Sequence, residues 1–302
     1  MKFAAPETGG PLAAPPDRGE AAIVLDGVGK SFWAARRRVE VTAIKDVSFI
    51  VPRHRFVTLL GPSGCGKSTV LRLVDGLIEP DRGTLSVLGR PPRPGPEIGF
   101  VFQSFRLIPW ATAQANVEFA LKPLKLPRTE RAARALHYLE LVGLATFRDA
   151  YPGELSGGMK QRVALARAYA SEPKLLLMDE PFASIDAQTR ELMQLELMRA
   201  WGEKSWTILF VTHSVDEAIV LSDEIVLMGP RPGRVTEIVP VNLDRPRWAY
   251  DARSDPRYVE LRSYLSARMR ALVLADPASE FYGRDLSAAP AAAGPDRPAL
   301  VR

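Results

Sequence analysis

Gly61-Pro62-Ser63-Gly64-Cys65-Gly66-Lys67-Ser68-Thr69 is the stretch that decides the fold. It follows the apolar run Phe56-Val57-Thr58-Leu59-Leu60 and precedes a helical pattern, Val70-Leu71-Arg72-Leu73-Val74. Strand, glycine-rich turn and helix are the context a phosphate-binding loop requires. The glycines let the backbone curl until successive N–H groups face an anion, and the helix that starts there adds its positive end. Lys67 is expected to reach the terminal phosphates, and the Ser68 hydroxyl to ligate Mg²⁺.

Composition sets the frame around this loop. The 302 residues are 46% hydrophobic and 25% charged, as in ordinary globular chains. No window holds eighteen uninterrupted apolar residues, and the N-terminus lacks the basic-then-apolar layout of a signal peptide. Cys65 is the single cysteine, which excludes an internal disulfide framework and fits a reducing cytoplasm. It occupies a variable position of the loop, where no redox role is expected. The net charge of +5 is spread along the chain. Only Arg36-Arg37-Arg38 forms a tight basic run, expected to top a solvated hairpin, and no aromatics interleave with a basic stripe. A nucleic-acid partner is therefore not expected.

Outward from the loop, residues 1–20 read as a disordered Pro/Gly/Ala-rich tail. Ile23 to Leu25, Val39 to Thr42 and Val47 to Val51 read as short strands of an antiparallel β layer. Phe32 and Trp33 are expected in its first turn. Thr84 to Gly89 and Ile98 to Phe102 are further strands, the latter buried and ending at Gln103. From Ala113 to about Gly143 the texture becomes helical, with Thr129 as a cap and Ala132, Leu136, Leu139 and Val142 on one face. His137 is expected to be a surface or packing residue. Leu175 to Met178 is a continuous apolar run of the central-strand kind, ending in Asp179-Glu180. A helix over 188–201, a strand over Thr207 to Val211, a short helix over Glu217 to Leu221 and a strand over Glu224 to Met228 follow. That alternation implies a parallel sheet with crossover connections. Tyr258, Leu261, Leu265, Met269 and Leu272 recur at helical spacing, as in a C-terminal helix docked on the core.

The chemistry-bearing residues sit at strand ends, where parallel α/β sheets place ligands. Of Asp179 and Glu180, one suits holding Mg²⁺ and the other orienting an attacking water. Gln103 and His213 also end apolar strands; the first can ligate Mg²⁺ or water, the second can hydrogen-bond a terminal phosphate. Ser156-Gly157-Gly158 opens another helix and offers a second set of backbone donors. One phosphate chain rarely needs two such sites, so the second is expected to serve a nucleotide held by another copy.

Taken together these residues resemble the ATP-binding subunit of an ABC transporter, over about Ala21 to Val241. Gly61 to Thr69 is similar to the Walker A loop, Gln103 to the Q-loop glutamine, and Leu155 to Gln161 to the signature, the most specific of the set. Leu175 to Glu180 matches Walker B with its catalytic glutamate, Ala183 to Asp186 the D-loop and His213 the switch histidine. Phe32 falls where the family carries its base-stacking aromatic. The D-loop reads Ala-Ser-Ile-Asp, the signature continues Met159-Lys160, and Ser214 follows the switch histidine; each departs from the usual residues, and none removes a catalytic group. Phe102 to Trp110, Pro230 to Arg234 and Asp255 to Leu265 look like the nitrate, sulfonate and taurine importer group.

The resemblance implies an α/β P-loop NTPase with a RecA-like parallel core, an antiparallel β subdomain and an inserted α-helical subdomain at about 104–165. The ATP-binding domain is expected over 21–245, a helical extension over 246–282 and a disordered tail over 283–302. Implied ligands are ATP and Mg²⁺. Implied catalytic groups are Lys67, Gln103, Glu180 and His213, with Ser68, Gln103 and Asp179 toward the metal. Gly61, Pro62, Ser63, Gly64, Cys65, Gly66, Lys67, Ser68 and Thr69, with Phe32 and Asp186, would hold the nucleotide. Ser156, Gly157 and Gly158 would complete it from the other copy. Implied partners are a second copy, head to tail, an integral membrane permease and, indirectly, an extracytoplasmic solute-binding protein. The place is the cytoplasmic face of the membrane. The competing expectations are a soluble ABC-type ATPase acting on nucleic acid or ribosomes, and a P-loop small-molecule kinase.

Overall fold

The computed structural model describes residues 21–34, 38–204 and 206–284. The tails expected to be disordered lie outside these residues apart from Gly283 and Arg284, as do Arg36 and Arg37 of the basic run.

Strand β1 (Ala21–Ala34) pairs antiparallel with β2 (Val39–Pro52) and with β4 (Arg82–Val87), giving a three-stranded sheet in the order β2-β1-β4. The expected antiparallel layer is thus present, but the two short strands expected at 39–42 and 47–51 are one strand. Register shifts between Leu25 and Ser31 break the two-residue alternation that marks a strand in sequence. Phe32 and Trp33 are not in a turn: they pair with Val41 and Glu40 near the end of β1.

The main sheet has six strands in the order β5-β6-β7-β3-β8-β9. These are β3 (Phe56–Leu60), β5 (Ile98–Val101), β6 (Leu175–Asp179), β7 (Thr207–Thr212), β8 (Glu224–Met228) and β9 (Val235–Pro240). All neighbours run parallel except β9, which pairs antiparallel with β8 at the edge. Every residue of β3, β6 and β7 is buried, which explains their continuous apolar runs. The strand pleat then divides them between two cores. Phe56, Leu60, Leu176, Met178, Ile208 and Phe210 face the helical side. Val57, Leu59, Leu175, Leu177, Leu209 and Val211 face the antiparallel sheet and α1 (Lys67–Val74).

The helical stretch after β5 is broken at Pro123 into α2 (Ala113–Leu121) and α3 (Arg128–Leu141). Thr112 caps α2 by accepting from Ala115 N–H at 3.2 Å. Thr129 does not cap α3, which starts one residue earlier with Pro127 at the cap position. Ala135, Tyr138, Leu139 and Val142 are its buried face, while His137 is exposed as expected. Both helices pack on α4 (Gly157–Ala170). Beyond the sheet come α5 (Ala187–Lys204), α6 (Val215–Leu221) and α7 (Pro256–Leu274). Tyr258 and Leu265 of α7 are buried, and Leu261, Met269 and Leu272 pack half-buried on the helical-side core. Arg247 anchors the approach to α7. It is 3% exposed and donates to the carbonyls of Ile219, Val220 and Ser222 at 3.0, 3.1 and 2.6 Å, satisfying the end of α6. Burial lowers its pKa to about 10. Among the described residues no helix is long and apolar enough to cross a membrane.

Candidate nucleotide site

The loop between β3 and α1 is curled around Lys67. The Lys67 ammonium is buried and donates to the Gly61 and Pro62 carbonyls at 2.8 and 2.9 Å, closing the first turn of the loop. Gly66 is at φ 99°, and a Cβ there would stand 2.4 Å from Ile44 Cγ2. Only glycine combines that backbone angle with that approach. Gly66 also stands at the cap position of α1 and supplies no side-chain cap, so the N–H groups of the first helical turn remain for an anion.

Under the loop lies a support that sequence reading did not find. Gly233, between β8 and β9, packs so closely that a Cβ would stand 1.8 Å from the Cys65 carbonyl oxygen. Its own N–H donates to Ala43 O at 2.9 Å, and its carbonyl accepts from Lys45 N–H at 2.9 Å. Arg231 Nε donates to Gly64 O at 3.3 Å. The segment Pro230 to Arg234 therefore ties the phosphate loop to β2. Cys65 is 1% exposed, and burial raises its thiol pKa; it is packing for this junction.

The acids expected at the end of β6 are there. Ser68 Oγ donates to Asp179 Oδ1 at 3.0 Å, joining the start of α1 to the strand end. Burial raises the Asp179 pKa, and the Ser68 hydrogen bond opposes that shift. A hydroxyl and a carboxylate oxygen at this distance form the hard-oxygen pair that Mg²⁺ takes. Glu180 follows at φ 46°, a left-handed conformation uncommon for a residue with a Cβ. Its N–H donates to Val211 O at 3.0 Å, which fixes the bend against β7. His213, just past β7, brings Nδ1 to 3.2 Å from Glu180 Oε2, and is 58% exposed in its side chain. Four residues from three distant segments thus meet at the carboxyl edge of the parallel strands: Ser68, Asp179 with Glu180, and His213.

Gln103 is exposed two residues past β5. The segment after it is held by Arg167 of α4, which donates to the Arg106 and Phe105 carbonyls at 2.7 and 3.0 Å. Phe32 is 40% exposed with the Lys30 ammonium 5.8 Å from its ring centre, and Trp33 is 66% exposed. Ser156 caps α4, accepting from Met159 N–H at 3.2 Å, and Ser156 and Gly157 are exposed. Helix α4 packs on α2, α3 and β5, so within one chain the Ser156 donors belong to the helical side. Asp186 caps α5, accepting from Thr189 N–H at 2.9 Å, and those bonds lower its pKa. A Cβ on Gly158 would lie 3.6 Å from Ser184 O, so the 183–186 turn and the Ser156 turn are neighbours.

A phosphate loop on a buried parallel strand, facing a hydroxyl–carboxylate pair and a glutamate at the next strand ends, defines a P-loop NTPase of the ATP-binding-cassette architecture. A cassette solved as a dimer in a post-hydrolysis state with ADP and Pi, the ATP-binding cassette MJ0796, superposes with a TM-score of 0.67 at 32% identity, covering 74% of this chain and all of that one. The ABC transporter family profile matches residues 44–183. The chain is 45% identical to the taurine import ATP-binding protein TauB of Rhizobium johnstonii, across 78% of this chain and 92% of the relative. It is 42% identical to the nitrate import ATP-binding protein NrtD of Synechococcus elongatus, across 79% and 88%. It is also 45% identical to an uncharacterized ABC transporter ATP-binding protein of Methanocaldococcus jannaschii, across 76% and 86%. The chain belongs to the ABC transporter family, as one of its ATP-binding proteins.

Proposed function

We propose that this chain is the ATP-hydrolysing subunit of a membrane importer for a small solute of the nitrate, sulfonate or taurine kind. The observation that carries the reading is the meeting of Ser68 with Asp179 and of Glu180 with His213 beside the phosphate loop. The cargo class rests on the two named import relatives. A soluble nucleic-acid ATPase and a small-molecule kinase are not favoured by these relatives.

Lys67 and the backbone of Gly61 to Thr69 hold the phosphates. Ser68, Asp179 and Gln103 would hold Mg²⁺, which when bound would supply positive charge to offset that of the phosphoryl oxygens. Glu180 orients a water in line with the γ-phosphorus and accepts its proton as the new P–O bond forms and ADP leaves. His213 bonds Glu180 through Nδ1; donating from Nε2–H to a γ-phosphoryl oxygen at the same time takes the imidazolium form, in which both ring nitrogens carry a proton. Phe32 stacks on the base. The Ser156, Gly157 and Gly158 donors, with Asp186 nearby, close the site of a second copy placed head to tail. Mg²⁺ would fit here on the strength of the oxygen pair already in place. The subunit sits against permease subunits at the cytoplasmic membrane face, through the segment Gln103 to Trp110, and an external solute-binding protein supplies the cargo.

Replacing Glu180 by Gln tests the chemistry. Phosphate release falls on the order of 10²-fold or more, and an ATP-bound dimer accumulates in size-exclusion chromatography. Hydrolysis at the parental rate in Glu180→Gln removes Glu180 as the base.

A further inference from the structure

Glu217 is a buried carboxylate that no step above uses. It lies in the first turn of α6, 8% exposed, with both oxygens engaged. The Thr212 hydroxyl donates to Oε2 at 2.6 Å, and Gln194 Nε2 donates to Oε1 at 3.3 Å. The same Thr212 oxygen accepts from Ser214 N–H at 3.0 Å.

The local sequence Ser214-Val215-Asp216-Glu217 is that of a capping box, in which the glutamate reaches back to the N–H of the capping serine. Half of the box is present: Ser214 Oγ accepts from Glu217 N–H at 3.3 Å. The other half is not. Ser214 N–H bonds the Thr212 hydroxyl instead, and the Glu217 carboxylate turns inward to β7 and α5. Helix capping therefore does not account for the carboxylate. Taking it out of water is costly unless hydrogen bonds repay the loss.

The bonds enclose one residue. Thr212 and Ser214 flank His213, and the Ser214 N–H to Thr212 Oγ1 bond ties the two ends of that arch together. Glu217 anchors the hydroxyl that makes the tie. His213 itself is mostly exposed, and its imidazole meets Glu180. We infer that Glu217 is a positioning residue for His213: through Thr212 it fixes the arch that presents the imidazole to Glu180 and to the terminal phosphate. Through Gln194 it also joins the arch to α5, the helix that Asp186 opens. The inference rests on the proposed role of His213 at the γ-phosphoryl group.

The test is a double-mutant cycle on the full chain, reading single-turnover ATP hydrolysis and ATP affinity. Thr212→Val lowers the hydrolysis rate tenfold or more while ATP affinity changes less than twofold. Thr212→Ser, which keeps the hydroxyl, stays within twofold of the parent. In a His213→Ala background, Thr212→Val costs less than a further twofold. Should Thr212→Val fail to fold, Gln194→Met takes its place, with a threefold or greater loss expected in the parental background and none in His213→Ala. Equal fold losses in both backgrounds, or a parental rate in the folded Thr212 or Gln194 variant, overturn the inference while leaving His213 in its role. A parental rate in His213→Ala alone overturns the role of His213, and the inference with it.

Discussion

At the scale of single residues, the phosphate loop is held from below as firmly as it is shaped from within. Gly233 touches the Cys65 carbonyl, the Ala43 carbonyl and the Lys45 amide at once. A methyl at 233 would overlap the Cys65 carbonyl oxygen, and both sides of the contact are backbone. The Met228 methyl beside it at 3.3 Å could give way, but the Cys65 carbonyl cannot, so the loop must shift. Gly233→Ala is expected to weaken ATP binding at least tenfold, measured by calorimetric or fluorescent titration; unchanged affinity would show that the loop tolerates displacement. The residues proposed for the chemistry were legible as candidates because each is a specific chemical type at the end of an apolar run, as with Asp179, Glu180 and His213. Gly233 and Glu217 were not. Gly233 lies in a stretch, Pro230 to Arg234, that stood out only by resemblance, and Glu217 reads as a helix-capping glutamate; what they do comes from the distant segments that pack on them.

At the scale of elements, α1 carries a tension at its far end. Asp75 closes the helix, is 7% exposed, and burial raises its pKa to about 7. In the unfolded chain the same carboxyl titrates near its model value of 3.8. Between these values the folded state holds a proton that the unfolded state has released, so stability falls as pH rises from about 4 through about 7 and stays low above. Asp75→Asn is expected to stabilise the protein at pH 8 by on the order of 1–3 kcal/mol relative to its effect at pH 4, read from urea unfolding at the two pH values. An effect independent of pH would mean that Asp75 stays ionised when folded. The elements themselves differ in how plainly they are written. The strands β3, β6 and β7 are buried on both faces and read as unbroken apolar runs. The bulged β1 and β2 read as fragments, and the edge strand β9 was not expected at all, because its burial alternates but its residue types do not: Glu237 lies on the more covered face and Ile238 on the exposed one.

At the scale of the whole molecule, the helical side presents aromatic rings to solvent. Trp110 is 81% exposed, Phe147 45% and Tyr151 49%. The start of α2 is tied beside them, with Ala113 N–H donating to Ala150 O at 2.8 Å and Gln114 N–H to Arg148 O at 2.9 Å. Exposed rings on a fixed frame suit a protein partner, in keeping with the permease proposed for this face. Trp110→Ala is expected to leave ATP hydrolysis by the isolated chain within twofold and to reduce co-purification of the permease and solute uptake at least fivefold; full uptake would move the contact elsewhere. The opposite side of the molecule is stitched differently. Gly233 fastens β2 to the phosphate loop, and β2 pairs with the strand that carries Phe32. On the proposed stacking role of Phe32, the aromatic ring and the anion cradle are thus joined through one pair of strands, like the two jaws of a calliper. In that proposal a ligand is gauged from end to end before any chemistry begins, and one that is too short would engage the base end or the phosphate end, but not both.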